Sequence, residues 1–320
     1  MPTTSLRREP SGSGTLELGE ASTFEQWRQL VSNRFVPLDI SSPAGAFHGT
    51  LRALHVGDSC VTEIVADPHR VEREAARISP DDPHHLKLTL QLEGTGIVAQ
   101  DGRQAVLLPG DVAIYDTSRP YTLEFVEGTR SLVMMFPHRM LGLSAQHIHR
   151  MTAVRLPGDE GIGTVICPFM RHMAANLDEL RGATGVRILR SALDLVTALI
   201  SAELDRQVAG TRRDFERCVA FIEEHLGDAG LTTTQVASAC FLSSRTVQYL
   251  FSEEGTTVTA WVRERRLERC RTDLLDASQQ ATSVLEIAHR WGFTDAAHFS
   301  RVCKTAFGVS PRELRRLASS

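Results

Sequence analysis

LSSRTVQYLF at residues 242–251 and FTDAAHFSRVCKTAF at residues 293–307 hold the side chains best suited to chemistry in this 320-residue chain, and the chemistry is recognition rather than reaction. An arginine guanidinium grips guanine through two parallel hydrogen bonds, a glutamine amide does the same to adenine, and an alanine methyl can meet the methyl of thymine. Helical spacing sorts each stretch into two faces. In the first, Val247, Leu250 and Phe251 point one way, and Ser244, Arg245, Gln248 and Tyr249 point the other. In the second, Phe299, Val302, Ala306 and Phe307 make the apolar side. Ala296, Ala297, His298 and Arg301 lie opposite, with Lys304 placed nearer any phosphate. Arg312, Arg315 and Arg316 follow, as phosphate contacts or as solvated side chains.

Such faces can read bases only if short helices hold them at a fixed angle. Ser283 and Glu286 form a capping box that starts one helix, with Leu285, Ile287, Ala288 and Trp291 as its apolar positions. Gly292 is expected to close it in the left-handed conformation that glycine tolerates best. Phe293 then plugs the core, Thr294 is a cap for the next helix, and Gly308 ends that helix ahead of Pro311. Helix, glycine turn, helix is the helix-turn-helix device, whose second helix enters the major groove of DNA. Residues 231–257 repeat the plan. Val236 and Ala237 lie on the first helix, Cys240-Phe241-Leu242 make the turn, Ser243 caps the second helix, and Gly255 ends it. Between the copies, VTAWVRERRLERCRTDLL predicts a strong connecting helix that buries Trp261, Leu267 and Leu274. Two motifs on one rigid helix can meet two successive major-groove segments about 34 Å apart.

Charge must then be placed rather than massed. Residues 1–210 carry a net −5 and residues 211–320 a net +1, so bulk attraction to a polyanion is excluded. No CxxC pair occurs among Cys60, Cys167, Cys218, Cys240, Cys270 and Cys303, which excludes zinc knuckles and thioredoxin-like chemistry and favours reduced, buried thiols. Apolar runs are too short for a membrane span. Residues 1–22 lack the apolar centre of a secretory signal and are expected to be a flexible lead-in, with the protein cytoplasmic.

The N-terminal half has a different rhythm. HLKLTLQLEG alternates, with Leu86, Leu88, Leu90 and Leu92 on one face and Lys87, Thr89 and Gln91 on the other. Asp101-Gly102 predicts a hairpin, and Pro109-Gly110-Asp111 a second turn. Several strands at this spacing predict a small barrel or sandwich. Beyond Gly161 the period becomes helical. Leu193, Leu195, Val196, Leu199 and Ile200 offer more apolar positions than packing on one domain needs, which predicts dimerisation through 161–206. The polar stretch RQVAGTRRD reads as a linker.

The C-terminal pattern resembles the AraC/XylS family of bacterial transcription regulators, carried by RLERC at 266–270, IAHRWGFTDAAHFSRVCKTAFGVSP at 287–311 and LSSRTVQYLF at 242–251. The resemblance covers about a hundred residues, and its spacing is specific. Three positions depart from the family pattern: Phe241 stands where glycine is usual, Cys303 where phenylalanine is usual, and Ala297 where a hydroxyl is common. A left-handed Phe241 would cost about 1 kcal/mol. The β-rich half resembles the cupin-like ligand-binding domain attached to one branch of this family.

The resemblance implies an α+β chain: an N-terminal cupin-like β-barrel with dimerisation helices, then an all-α C-terminal domain with two helix-turn-helix motifs. The expected boundaries are 1–22 lead-in, 23–160 barrel, 161–206 dimerisation helices, 207–214 linker and 215–320 double helix-turn-helix. It further implies double-stranded DNA as partner, an effector inside the barrel, a homodimer, and RNA polymerase if the protein is an activator. Arg73, Arg77, Tyr115, Arg119 and Tyr121 are the candidate effector contacts, suited to an aromatic or carboxylic acid. No cofactor and no metal are expected. His84 and His85 are adjacent and so point to opposite faces of a strand, His147 and His149 follow the strand region, and no hydrolase, Walker or dinucleotide motif occurs. The competing readings are an effector-independent DNA-binding protein and a cupin-type metalloenzyme with a helical tail.

Overall fold

The computed structural model describes residues 7–8, 16–43 and 45–317. It divides into two compact units, one ending at Asp205 and the other beginning at Arg206.

The first unit is built on β1 (Arg7–Arg8), β2 (Leu16–Ala21), α1 (Phe24–Ser32), β3 (Asp39–Ser41), β4 (Gly49–Val56), β5 (Ser59–Ala66), β6 (His69–Arg73), β7 (His85–Glu93), β8 (Gly96–Gln100), β9 (Arg103–Leu107), β10 (Val112–Asp116), β11 (Tyr121–Phe125) and β12 (Thr129–Pro137). One antiparallel sheet runs β1-β2-β4-β5-β12-β7-β10 and the other β3-β6-β11-β8-β9. Both expected turns form: Asp101 and Gly102 take φ of 54° and 73°, and Gly110 takes 102°. The helices α2 (Ala145–Met151), α3 (Gly163–Ala175) and α4 (Gly182–Glu224) follow.

The seven-stranded sheet is covered on both faces at its β12-β7-β10 end. Leu86, Leu88, Leu90, Leu132 and Met134 share an apolar core with Ile166, Met170, Leu193, Val196 and Ile200 of the helices. Cys60, Ala113 and Tyr115 face the other way, into a second core shared with Val71, Val98, Leu107 and Tyr121 of the five-stranded sheet. Strand β7 is therefore covered from Leu86 to Gln91, and its polar face, Lys87, Thr89 and Gln91, is interior.

Three sequence expectations need correction here. Leu16–Ala21, assigned to the lead-in, is a strand paired with β4 from Leu16↔Leu54 to Ala21↔Gly49; residues 1–6 and 9–15 lie outside the described residues. The stretch 207–214, expected as a linker, lies within α4. Its polarity belongs to a solvated helix with pairs such as Arg212–Glu216 at 3.0 Å, and Gly210 alone does not break it. Third, Leu193, Val196, Leu199 and Ile200 are buried, with Leu195 packed beside them, in the unit's own core. The apolar surplus that suggested dimerisation is used within one chain.

The second unit contains the end of α4, then α5 (Thr233–Ala239), α6 (Ser244–Glu253), α7 (Val258–Leu275), α8 (Val284–Arg290), α9 (Ala296–Phe307) and α10 (Pro311–Leu317). It has two cores. Cys218, Ile222, Val236, Val247, Phe251 and Val262 make the first; Leu267, Cys270, Leu274, Ile287, Phe299 and Cys303 make the second. All six cysteines are free and buried.

Candidate nucleic-acid interface and ligand site

The two helix-turn-helix motifs are built by the same local devices. Thr232 and Ser283 each close a capping box, with Gln235 and Glu286 respectively. Each turn reverses through a left-handed residue, Phe241 at φ 53° and Gly292 at φ 76°. This lets the amide three residues after the helix reach back into it, Leu242 N to Ala237 O at 2.8 Å and Phe293 N to Ala288 O at 2.9 Å. Ser243 caps α6 through Thr246 N. Helix α9 is capped by Asp295, whose carboxylate accepts from His298 N at 2.7 Å, and not by the expected Thr294. An aspartate adds favourable charge at a helix N-terminus that threonine lacks. Ala306 and Leu285, expected inside, are exposed; on α9 the expected Phe299 is buried, with Cys303 beside it and Val302 and Phe307 partly buried.

Connector α7 fastens both motifs. Arg266 donates to Leu226 O at 2.8 Å, to Asp228 O at 2.5 Å and to Gly292 O at 3.3 Å, so one guanidinium clamps the loop before α5 to the turn of the second motif. A Cβ at position 292 would lie 2.8 Å from that guanidinium carbon, which gives Gly292 a packing reason beyond its φ. Glu223 pairs with Arg265 at 2.5 Å and with Arg269 at 2.8 Å, and Asp273 holds Arg290 at 3.0 Å and the Trp291 indole N–H at 2.8 Å.

On this frame Arg245, Gln248, Tyr249, Ala296, Ala297, His298, Arg301 and Lys304 are exposed, and Ser244 is half-buried at the start of α6. Among the described residues Arg245, Arg301 and Lys304 enter no ion pair, whereas Arg212, Arg217, Arg265, Arg269 and Arg290 of the same unit do. Unengaged guanidiniums on the second helix of each motif are what base-edge contacts require.

In the first unit the five candidate effector contacts separate. Tyr115 and Tyr121 meet in the interior with ring centroids 4.8 Å apart. Burial drives both phenols above their usual range, so both stay neutral. Arg73 is buried, but its donors are taken by Thr117 O at 2.7 Å, Pro37 O at 2.8 Å and Asp82 at 2.7 Å. Arg77 lies at the surface with its fork closed on Asp39. Arg119 is held by Asp101, Asp116 and His149. The structure thus does not bring Arg77 and Arg119 to the tyrosines, and carboxylates of this chain already fill both guanidiniums.

The interior basic group that sequence reasoning missed is Lys87. It is 2% exposed, and its Nζ donates to the Tyr121 hydroxyl at 3.2 Å and lies 4.2 Å from the centre of the Phe35 ring. Burial and the nearby Arg73 charge hold its ammonium down at about 7 instead of 10.5. The available signal is compositional: Lys87 and Lys304 are the only lysines, and one of them stands in mid-strand between leucines. Farther along the same face, Gln91 Oε1 and Ser131 Oγ are buried without a hydrogen-bond partner among the described residues. At the other end of β7, a cleft of about 660 Å³ is lined by His55, Cys60, His84, His85, Met135 and His138, among others.

Comparison with known proteins places these features in a family. Residues 27–201 match the model of an AraC-binding-like domain, and residues 236–317 match that of a helix-turn-helix domain. The chain is 32% identical over 309 residues to the transcriptional activator NphR of a Rhodococcus species, covering 94% of this chain and 91% of that protein. It is 25% identical over 252 residues to XylDLEGF operon transcriptional activator 1 of Pseudomonas putida, covering 75% and 77%. The crystal structure of the AraC-like transcriptional activator CuxR superposes with a TM-score of 0.51 at 20% identity, over 78% of this chain and 93% of that one, a likeness of fold.

Proposed function

We propose, on the premise that this chain belongs to the AraC/XylS family of bacterial transcription regulators, that it is an activator whose DNA occupancy responds to a small organic effector held between its two sheets. DNA-binding regulation follows from family membership; the effector, the contact residues and the sign of regulation are the proposal. The observation that carries it is the coexistence of two exposed recognition helices with unengaged Arg245 and Arg301 and a polar, aromatic interior in the other unit.

Helices α6 and α9 enter successive major-groove segments. Arg245, Gln248 and Arg301 read base edges, Ala296 and Ala297 meet thymine methyls, Ser244, Tyr249 and His298 flank them, and Lys304 holds phosphate. The effector acts by differential affinity, since moving a population from 1:99 to 99:1 takes about 5.5 kcal/mol of preference for the active state. The first unit binds its ligand and does not transform it. The protein works in the cytoplasm, where RNA polymerase is its partner at the promoter. It acts as a homodimer, which raises occupancy by avidity; the surface left for a second copy includes exposed Val165 and Val186.

The test is a reporter assay with full-length protein and with a form lacking residues 1–205. Inducer-dependent expression that vanishes in the truncated form supports the reading. Unchanged regulation after truncation sinks it in favour of an effector-independent DNA-binding protein.

A further inference from the structure

Lys87 presents a charge problem that the fold leaves unsolved. Its ammonium sits between two sheets, 2% exposed, and among the described residues no carboxylate pairs with it. Its polar partner is a neutral phenol, and the rings of Phe35 and Tyr121 surround it at 4.2 and 5.7 Å. A buried cation without an anion is among the costlier arrangements a core can contain, and a neutral side chain of similar length would relieve it. Elsewhere this unit pairs its buried arginines: Arg73 with Asp82, and Arg34 with Glu17. Lys87 is the exception, and it is bordered by features a ligand can use.

Register defines that surrounding. Lys87 stands opposite Met135 on one neighbouring strand and Tyr115 on the other, and Met135 stands opposite Cys60. Residues directly opposite in antiparallel strands share a face, so these side chains and Lys87 point into the same interior. Cys60 and Met135 also line the 660 Å³ cleft, together with His85, two residues from Lys87 or about 7 Å along the strand. His55, His84 and His138 complete the mouth, with Asp58 and Arg139 beside them. Deeper along the same face, Gln91 Oε1 and Ser131 Oγ, in side chains almost fully buried, lack hydrogen-bond partners among the described residues.

We propose that Lys87 is the anchor for an aromatic carboxylate: its ammonium binds the carboxylate, and the rings of Phe35, Tyr115 and Tyr121 pack the aromatic body. The half-exposed Phe35 ring lies over Lys87, so it must shift to admit the ligand from the cleft. This deepens the effector reading and rests on it. A carboxylate beside the ammonium restores its proton affinity, so binding takes up protons near neutrality.

The experiment is isothermal titration of full-length protein with benzoate and phenylacetate and with their neutral amides, on wild type, Lys87→Met and Lys87→Arg. The expected result is that at least one carboxylate binds, that Lys87→Met weakens it tenfold or more, that Lys87→Arg retains part of the affinity, and that the amides distinguish the proteins little. With the free lysine at about 7, carboxylate binding at pH 7.5 should take up about three quarters of a proton, read from buffers of different ionisation enthalpy. Unliganded Lys87→Met should melt no lower than wild type. Equal carboxylate affinity in Lys87→Met overturns the anchor and leaves the effector reading standing. Binding of the amides but not the acids overturns the assignment of charge, and a Lys87→Met protein that melts lower or fails to fold assigns Lys87 to structure. If neither class binds, the aromatic-carboxylate assignment falls, while the truncation assay decides the effector reading separately.

Discussion

Replacing Phe241 by glycine should stabilise the second unit, although it removes a large aromatic side chain. Phe241 has φ of 53° and is 94% exposed, so the ring contributes almost no buried area while the backbone sits in the left-handed region. A residue with a Cβ costs roughly 1–2 kcal/mol there, and glycine returns roughly 0.5–1 kcal/mol of that through its greater freedom in the unfolded chain. The net gain is about 0.5–1 kcal/mol, or roughly 3–5 °C in Tm for a unit of this size. The reach of Leu242 N to Ala237 O survives, because glycine prefers the conformation that makes it. The assay is thermal and guanidinium unfolding of residues 206–320, which have their own two cores, followed by Trp261 and Trp291 fluorescence. Phe241→Ala is the control: it removes the ring but keeps the Cβ, so it should remain within about 0.5 kcal/mol of wild type. Phe241→Gly no more stable than wild type would refute the argument, and a large loss in Phe241→Ala would mean that the exposed ring carries packing energy.

Four further outcomes are expected. Arg301→Ala should cost about 1–3 kcal/mol of specific DNA binding and relax preference at one base position; uniform weakening on every sequence would make Arg301 a phosphate contact. Gly292→Ala should destabilise residues 206–320 by about 2 kcal/mol or more in denaturant melts, because the new Cβ is both left-handed and 2.8 Å from Arg266. Lys87 is lowered from 10.5 to about 7, with Arg73 and Cys60 as its charged or ionisable neighbours, so the unfolded chain holds more protons between those values. Stability of the first unit should therefore rise with pH from about 7 to about 9 at roughly 1.4 kcal/mol per pH unit, above which the raised thiols of Cys60 and Cys167 oppose it, and Lys87→Met should flatten the rise. Sedimentation velocity should give a dimer with operator DNA, and a monomer with and without DNA would remove the homodimer.

The double helix-turn-helix was legible in the sequence because its signals are local. Ser283 with Glu286, Gly292, Ser243 and Gly308 act within a few residues of chain, and helical spacing alone separates Phe251 and Phe299 from Arg245 and Arg301. The hairpin at Asp101-Gly102 is local in the same sense. Sequence also determined that strand β7 has one leucine face and one polar face, but it left open which face meets what. Only the tertiary structure decided this, by placing helices α3 and α4 over the leucines and a second sheet over Lys87, Thr89 and Gln91. The same nonlocality consumed the apolar residues of α4 that suggested a partner chain, and carried the polar stretch 207–214 along as helix. It also removed Arg77 and Arg119 from the interior, because Asp39 and Asp101, which hold them, lie 38 and 18 residues away in sequence. Period-two and period-3.6 patterns report that a residue has a face. Whether that face meets water, a second sheet or a carboxylate depends on segments far away in the chain, and only the folded packing brings those together.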